Sequence, residues 1–240
     1  MSTEPLTVAD IPVEVVRKDI KHLHIGVYPP TGRVRVSCPQ AMTDDAVRAA
    51  VIVRLGWVKR QQTRYQAAKR QPVRRYVSGE THYFLGRAYR LRVRAGKRPA
   101  RVRLDGSERL VLEVPANAST EARGRLLDRW YRQQLTDALP PLLDVWGPRL
   151  GADSVTWRLR RMRTRWATIN PEKKIITLNP EIIKQPPEAL EYVLVHELVH
   201  LSERTHNDRF AELLDSNMPD WRARQRRMNQ FPLTHEDWTF

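Results

Sequence analysis

HELVHLSERTH, running from His196 to His206, holds three of the seven histidines in the chain. In an α-helix, His196 and His200 would lie one turn apart on the same face, so their imidazoles could bind one metal ion. Glu197 directly follows the first of these histidines, where its carboxylate could take a proton from a metal-bound water. The spacing therefore predicts a helical site of the kind that zinc hydrolases use.

The third protein ligand that such a site needs is predicted to be His206. Catalytic zinc normally has three protein ligands and leaves a fourth position for water. A continuous helix would rotate by about 1000° between His196 and His206 and would carry the last histidine off the shared face. We therefore expect the helix to break between Glu203 and His206. A new helix would then be capped by one of the polar residues at this point, Thr205, Asn207 or Asp208.

Three carboxylates compete with His206 for the third ligand position. Glu203 lies on the same helical face as His200 but close to it along the axis, which fits a place beside the metal site or in solvent better than direct ligation. Glu212 and Asp215 belong to the helix expected after His206 and are weaker candidates. Asp215 is equally well explained as a surface charge.

The residues before the motif argue against an ordinary amphipathic helix with two surface histidines. Apolar side chains recur from Leu190 to Leu201 and would bury most sides of the helix. Buried histidine and glutamate side chains need partners. Pro186 and Pro187 stand where a helix can begin without an amide donor, so the helix is expected to start there.

The composition predicts an anionic partner. Lys and Arg number 42 against 27 Asp and Glu, which gives the 240-residue chain a formal charge of +15. Nucleic acid is the commonest partner of such a chain, although a solvated basic surface would give the same balance.

Cys38 is the only cysteine, so no intrachain disulfide can form and a reducing compartment is expected. The N-terminal residues lack the uninterrupted apolar core typical of a signal peptide, and nowhere do 18 apolar residues run together, so we predict a cytoplasmic protein without a membrane span. The sequence leaves the oligomeric state open.

The order of the predicted elements indicates an α+β fold in two parts. Residues 1–115 form a β-rich N-terminal subdomain with one helix capped at Thr43. Residues 116–240 form a zincin-like subdomain with a small sheet and the HExxH helix. In the second part, a long helix is expected from Ser119 to about Gly151, interrupted at Pro140 and Pro141.

Two further segments have alternative interpretations. Arg90, Arg92 and Arg94 alternate with apolar residues, so they form either a phosphate-binding row or an exposed sheet face. The helix after Pro219 is also basic and could contact nucleic acid. The strand before the HExxH helix could pair with a substrate peptide, with Arg163, Arg165 and Trp166 at its rim, or Trp166 could simply pack against the helix.

Two long stretches carry a resemblance to a known family. GETHYFLGRAYRL at residues 79–91 and RMRTRWATINPEKKIITLNPEIIKQPPEALEYVLVHELVHLSERTHNDRF at residues 161–210 resemble the YgjP-like zinc metallopeptidases, relatives of the SprT and Spartan proteases. The resemblance implies one zinc ion per chain held by His196, His200 and His206, with Glu197 as the general base. These relatives cleave proteins on DNA, which makes nucleic-acid-associated proteins a candidate substrate class.

The chain departs from the family pattern at one place. The family usually has Trp-Gly-Ser-Cys where this chain has Trp166, Ala167, Thr168 and Ile169. Any function of that cysteine and glycine is therefore absent, and the rim of the site is expected to differ.

The prediction is a zinc metallopeptidase that hydrolyses peptide bonds with a metal-activated water. Tyr192 and Arg165 are candidates for stabilising the oxyanion, although each has an ordinary structural explanation. One alternative is a nucleic-acid-binding protein whose zinc site is structural, which would require four ligands and would more often use cysteines. A second alternative is a zinc hydrolase of a non-peptide bond, because the motif specifies hydrolysis better than it specifies the bond.

Overall fold

The computed structural model describes residues 3–28, 31–67, 74–96, 99–162 and 165–230. Contacts divide the chain into two compact units, one within Met1–Gln71 and the other within Pro72–Thr234. Each unit has its own hydrophobic core.

The first unit is a four-stranded sheet with two helices. Its strands are β1 (Thr3–Val8), β2 (Ile11–Lys18), β3 (His24–Tyr28) and β4 (Arg33–Pro39), in the order β1-β2-β4-β3 with β2 and β4 parallel. Alternation along β4 buries Val34, Val36 and Cys38 and exposes the residues between them more. The expected helix capped by Thr43 is two helices, α1 (Asp44–Val53) and α2 (Leu55–Ala67), because α1 ends at Arg54.

The second unit begins with another four-stranded sheet. Its strands are β5 (Thr81–Phe84), β6 (Arg87–Ala95), β7 (Arg101–Asp105) and β8 (Arg109–Val114), in the order β5-β6-β8-β7. Gly86, with a φ of 76°, makes the tight turn between β5 and β6. The amide groups of Leu85 and Gly86 donate to the carbonyl oxygens of Ile183 and Lys184, which ties this turn to the segment before the HExxH helix.

A single long helix, α3 (Thr120–Arg149), follows this sheet, and Ser119 caps it. The predicted interruption at Pro140 and Pro141 is wrong, because the helix continues through both prolines. Leu135 and Leu139 are fully buried on one side of them and Trp146 is buried on the other. This packing offsets the backbone hydrogen bonds that the prolines cannot make.

The rest of the second unit surrounds the motif. Strands β9 (Thr156–Leu159), β10 (Ala167–Asn170) and β11 (Ile175–Leu178) form a sheet in the order β10-β11-β9, with β10 at one edge. A 3₁₀ helix (Pro180–Lys184) precedes α4 (Pro187–Val199), which carries the motif, and the unit continues with α5 (Asp208–Asn217) and α6 (Trp221–Gln230).

The α+β class is confirmed, with helices and three small sheets. The division of the chain lies between Gln71 and Pro72. The boundary predicted after residue 115 falls instead inside the second unit, between β8 and α3. Leu91 and Leu110 of the β5–β8 sheet share one core with Leu135 of α3 and Leu194 of α4, so this sheet belongs to the same unit as the motif. Within the described ranges, no helix is long and apolar enough to cross a membrane.

Candidate metal centre

Helix α4 places the first histidine and the glutamate of the motif against the core. It begins at Pro187 after Pro186, as predicted. Leu194, Val195 and Leu198 are fully buried around it. A helix buried on nearly every side holds its side chains rigidly, and this fixes the direction in which the motif side chains point.

The break after α4 comes earlier than the sequence predicted. The helix ends at Val199, and His200 is its C-cap with helical backbone angles. The amide groups of Leu201 and Ser202 each bond the carbonyl oxygen three residues back, so the chain tightens into a turn here. His200 therefore keeps its place on the α4 face while the chain is already turning towards His206.

The next helix begins immediately after the third histidine. The Asn207 side chain accepts a hydrogen bond of 3.0 Å from the Phe210 amide, so Asn207 is the N-cap of α5, one of the three caps expected. His206 is thus held between the turn after α4 and a capped helix.

These two helices bring the three histidines together. One ring nitrogen from each of His196, His200 and His206 lies within 4.8 Å of the corresponding atoms of the other two, and no other group of metal-binding side chains was found in the described part of the chain. The Nε2 atoms of His196 and His206 are 3.0 Å apart. The His200 Nδ1 donates to the Glu203 carbonyl oxygen at 2.9 Å, which leaves its Nε2 for the cluster. Three imidazole nitrogens this close fit a single zinc ion.

The electrostatics favour the metal-binding, neutral form of two of these histidines, His196 and His206. Burial, and then the neighbouring His200 and His206, lower the pKa of His196 to about 4. Burial followed by the charge of His200 also lowers the pKa of His206. These imidazoles are therefore neutral at neutral pH, with lone pairs available to a cation.

One aromatic ring contacts all three imidazoles. The Phe210 ring centroid lies 4.9 Å from that of His196, 4.6 Å from that of His200 and 4.7 Å from that of His206. Phe210 is buried. It forms an apolar support that limits how the imidazoles can turn.

Glu197 lies beside the cluster in a buried setting. Burial raises the pKa of its carboxyl to about 7, while a hydrogen bond from the Ile169 backbone and the charge of Arg165 act in the opposite direction. The carboxyl group can therefore gain and lose a proton near neutral pH, as suits a group that accepts a proton and later releases it.

The competing carboxylates are engaged elsewhere. Glu203 accepts hydrogen bonds from the backbone and hydroxyl of Thr205, at 3.0 and 2.9 Å. Asp215 bonds Trp221 and Arg222, and Glu212 is exposed on α5. None of the three belongs to the histidine cluster.

A cleft of about 770 Å³ opens onto the cluster and Glu197. Residues 165–170 line one side, so the edge strand β10 forms its wall, and Arg204, Tyr192 and Met228 also line it. Residues 167–169, where the chain differs from the pattern of the family it resembles, are part of this wall. Trp166 lines the cleft and also packs against the hydrophobic core, so both interpretations offered for it apply. Arg165 is exposed at the rim. Arg163 lies outside the described residues.

Tyr192 lies in the cleft wall and is held on two sides. Its ring stacks on that of Trp221, with an interplanar angle of 6° and centroids 6.3 Å apart. Its hydroxyl accepts a hydrogen bond of 3.0 Å from Gln225. Burial raises its pKa, so the phenol stays protonated at neutral pH and can donate a hydrogen bond.

Sequence reasoning missed the contacts of Phe210, Ile169 and Gln225. The only sequence signal for Phe210 is an aromatic residue one turn after His206, which is equally typical of a core position. Backbone contacts such as that of Ile169 leave no sequence signal.

The family model described as "YgjP-like, metallopeptidase domain" matches residues 22–231. Among solved structures, the metallopeptidase zymogen of Pyrococcus abyssi abylysin is 30% identical, with a TM-score of 0.32, covering 35% of this chain and 84% of that one. The search of curated proteins found no significant match.

Proposed function

Because the chain belongs to the YgjP-like metallopeptidase family, and is thus a metal-dependent peptide-bond hydrolase, we propose specific residues for its activity. His196, His200 and His206 hold one catalytic zinc ion per chain, and Glu197 is the general base. The observation that carries this proposal is the convergence of three imidazole nitrogens within 4.8 Å, next to a buried carboxyl group and at the floor of an open cleft.

The chain's own residues supply proton transfer and alignment. When bound, zinc would polarise the scissile carbonyl group and make water more acidic. Glu197 accepts the proton of the attacking water and delivers it to the leaving amine, and a pKa of about 7 suits both steps. The His200 Nδ1–H bond to the Glu203 carbonyl oxygen fixes the tautomer and the direction of that imidazole.

The free edge of β10 is the proposed binding place for the substrate. In the described residues β10 pairs with β11 alone, so its other edge has backbone groups without strand partners. This edge lines the cleft, and the backbone of Ile169 is close enough to hydrogen-bond Glu197. An extended peptide paired with β10 would therefore pass beside the general base, and backbone pairing tolerates varied side chains.

The structural-zinc alternative has less support. A structural zinc site normally has four protein ligands, whereas the cluster has three within the part of the chain that is described. A cleft of about 770 Å³ adjoins it, which leaves room for water and substrate.

The test is the substitution Glu197→Gln, assayed by cleavage of fluorescein-labelled casein and by zinc content. We expect kcat to fall at least about 100-fold, because the amide cannot accept the proton, while the zinc content is unchanged. Glu188→Gln on the same helix is the matched control, since Glu188 pairs with Arg227 at the surface, and it should keep full activity. Activity of Glu197→Gln within a few-fold of wild type would exclude Glu197 as the base.

A further inference from the structure

The open face of the β5–β8 sheet is covered by arginine. Along β6, Tyr89 and Leu91 are buried in the core that the sheet shares with α3, while Arg90, Arg92 and Arg94 are exposed on the other side. This alternation follows from the two-residue period of a strand.

Strand register extends this row across the sheet. Arg90 lies opposite Arg109 of β8, and Arg94 lies opposite Glu113. On β7, Arg101 lies opposite Glu113 and Asp105 lies opposite Arg109. We call the resulting surface the arginine face, and it consists of Arg90, Arg92, Arg94, Arg101, Arg103 and Arg109.

Two carboxylates share this face, and both are already engaged. Glu113 pairs with Arg101 at 2.5 Å and with Arg103 at 3.3 Å. Asp105 pairs with Arg103 at 3.2 Å and lies 3.9 Å from Arg109. Among the described residues, no salt bridge joins the three β6 arginines to a carboxylate. Arg90 donates one hydrogen bond to the Gly79 carbonyl oxygen, which leaves its charge, like that of Arg92 and Arg94, available to an anionic partner.

The arrangement is unfavourable for a surface that meets only solvent. Like charges directly opposite each other in a sheet destabilise it, and Arg90 and Arg109 are such a pair. All six cations are arginine, whose planar guanidinium group can donate two parallel hydrogen bonds to one phosphate. An anionic partner would offset the repulsion.

The spacing favours a partner with regularly repeated charge. Alternate residues of a strand are about 6.7 Å apart, about twice the 3.4 Å axial rise between successive phosphates of one nucleic-acid strand. The central apolar residue of the face, Val111, is fully buried among the arginines, so the face offers no apolar side chain there to enter a membrane.

The other basic element is a weaker candidate. On α6, Arg222 pairs with Asp215, Arg224 with Glu191 and Asp220, and Arg227 with Glu188. These ion pairs connect α6 to its neighbours and reduce the charge that it offers to an outside partner.

We propose that the arginine face binds the sugar–phosphate backbone of nucleic acid without selecting a base sequence. Guanidinium contacts to phosphates supply affinity and carry no sequence information. The proposal does not depend on the metal centre or on the general base.

The test compares two triple variants of the full chain for binding to fluorescein-labelled 30-base-pair DNA and RNA duplexes of mixed sequence, by anisotropy between 50 and 200 mM salt. Arg90→Gln/Arg92→Gln/Arg94→Gln removes the β6 row. Arg125→Gln/Arg129→Gln/Arg149→Gln is the matched control, because it removes the same charge from exposed positions of α3.

We expect the β6 variant to lose at least about ten-fold in affinity at 100 mM salt. Its slope of log affinity against log salt should fall by about two to three, near 0.9 for each lost phosphate contact. The control should lose less than three-fold. Single variants at Arg90, Arg92 and Arg94, each lowering the slope by about one, give the same test if the triple variant does not fold.

Three results would overturn the proposal. The first is that neither duplex binds the wild-type chain, and the second is that the two triple variants lose affinity equally, which would assign binding to net charge. The third is binding to phosphatidylserine vesicles but to neither duplex, which would make a membrane the partner.

Discussion

At Glu197, His196 and His206, burial disfavours the charged form of each side chain. It raises the pKa of the carboxyl to about 7 and lowers that of His196 to about 4. Together with His200 these groups lie in one cluster, and burial biases Glu197, His196 and His206 towards their neutral forms. Their spacing in the sequence predicted this cluster because one helical turn separates His196 from His200 and only one chain reversal is needed to bring His206 back.

His82 shows a second effect of burial, away from the cleft. It is 3% exposed, its ring stacks on that of Tyr76, and its Nε2 lies 3.2 Å from a Glu80 carboxylate oxygen. Burial, reinforced by the charge of Arg74, lowers the pKa of His82 to about 4. The imidazole is therefore neutral at pH 7 and donates a hydrogen bond to Glu80; it does not form an ion pair.

This burial predicts acid sensitivity. Unfolded His82 would titrate near 6.5, so below that pH the unfolded chain binds the proton more tightly than the folded one. The contribution of neutral His82 to the free energy of unfolding is complete above about pH 6.5 and is lost as the pH falls towards 4. Between pH 7 and pH 5 this lowers the free energy of unfolding by about 2 kcal/mol.

Urea unfolding of wild type and His82→Gln at pH 7 and pH 5 tests this prediction. Between pH 7 and pH 5 the free energy of unfolding should fall by about 2 kcal/mol more in the wild type than in the variant, because glutamine does not titrate. Equal losses in both proteins would contradict the assignment of a strongly lowered pKa to His82.

At the scale of elements, α5 supports the proposed metal centre through a residue that is not among the proposed ligands. Phe210 contacts all three imidazoles, and Asn207 fixes the start of its helix. We predict that Phe210→Leu weakens zinc binding about ten-fold, as loss of outer contacts does at other metal sites. A swap of similar volume should destabilise the metal-free fold by less than about 1.5 kcal/mol.

Chelator competition and thermal unfolding of the metal-free protein separate the two effects. Leu214→Ile, at a fully buried position one turn further along α5, is the control and should leave zinc affinity within two-fold of wild type. If Phe210→Leu binds zinc as tightly as wild type, Phe210 is an ordinary core residue.

Helix starts were predictable and helix interiors less so. Thr43, Ser119 and the Pro186–Pro187 pair each mark a start that the structure has, because caps act locally. Pro140 and Pro141 suggested a break that does not occur, since core packing on both sides of them prevails over a local cost. The end of α4 at Val199, earlier than expected, likewise depends on turn contacts that the motif spacing does not contain.

At the scale of the whole molecule, the α+β class followed from the sequence but the division of the chain did not. The boundary predicted after residue 115 marks a change from strands to helix, whereas Leu91 and Leu110 on one side of it pack with Leu135 on the other. Shared burial between residues distant in sequence defines a unit, and no local pattern reports it. The arginine face also could not be predicted in full from local pattern. The alternation in β6 predicted a row of three arginines, and only the strand register shows that Arg101, Arg103 and Arg109 extend it.

The proposed metal centre draws on several elements of the second unit, because its histidines come from α4 and the turn after it, Phe210 comes from α5, and the cleft wall comes from β10. Its ligand set can be tested by substitutions on either side of that turn. His206→Ala removes the proposed third ligand, and Glu203→Gln removes the carboxylate that competes with it.

The most direct test is zinc content per chain, measured by elemental mass spectrometry on tag-free protein supplied with zinc and then dialysed. The account predicts about one zinc ion in the wild type and in Glu203→Gln, and a large loss in His206→Ala. Wild-type protein without zinc, or full zinc content in His206→Ala, would contradict the three-histidine site.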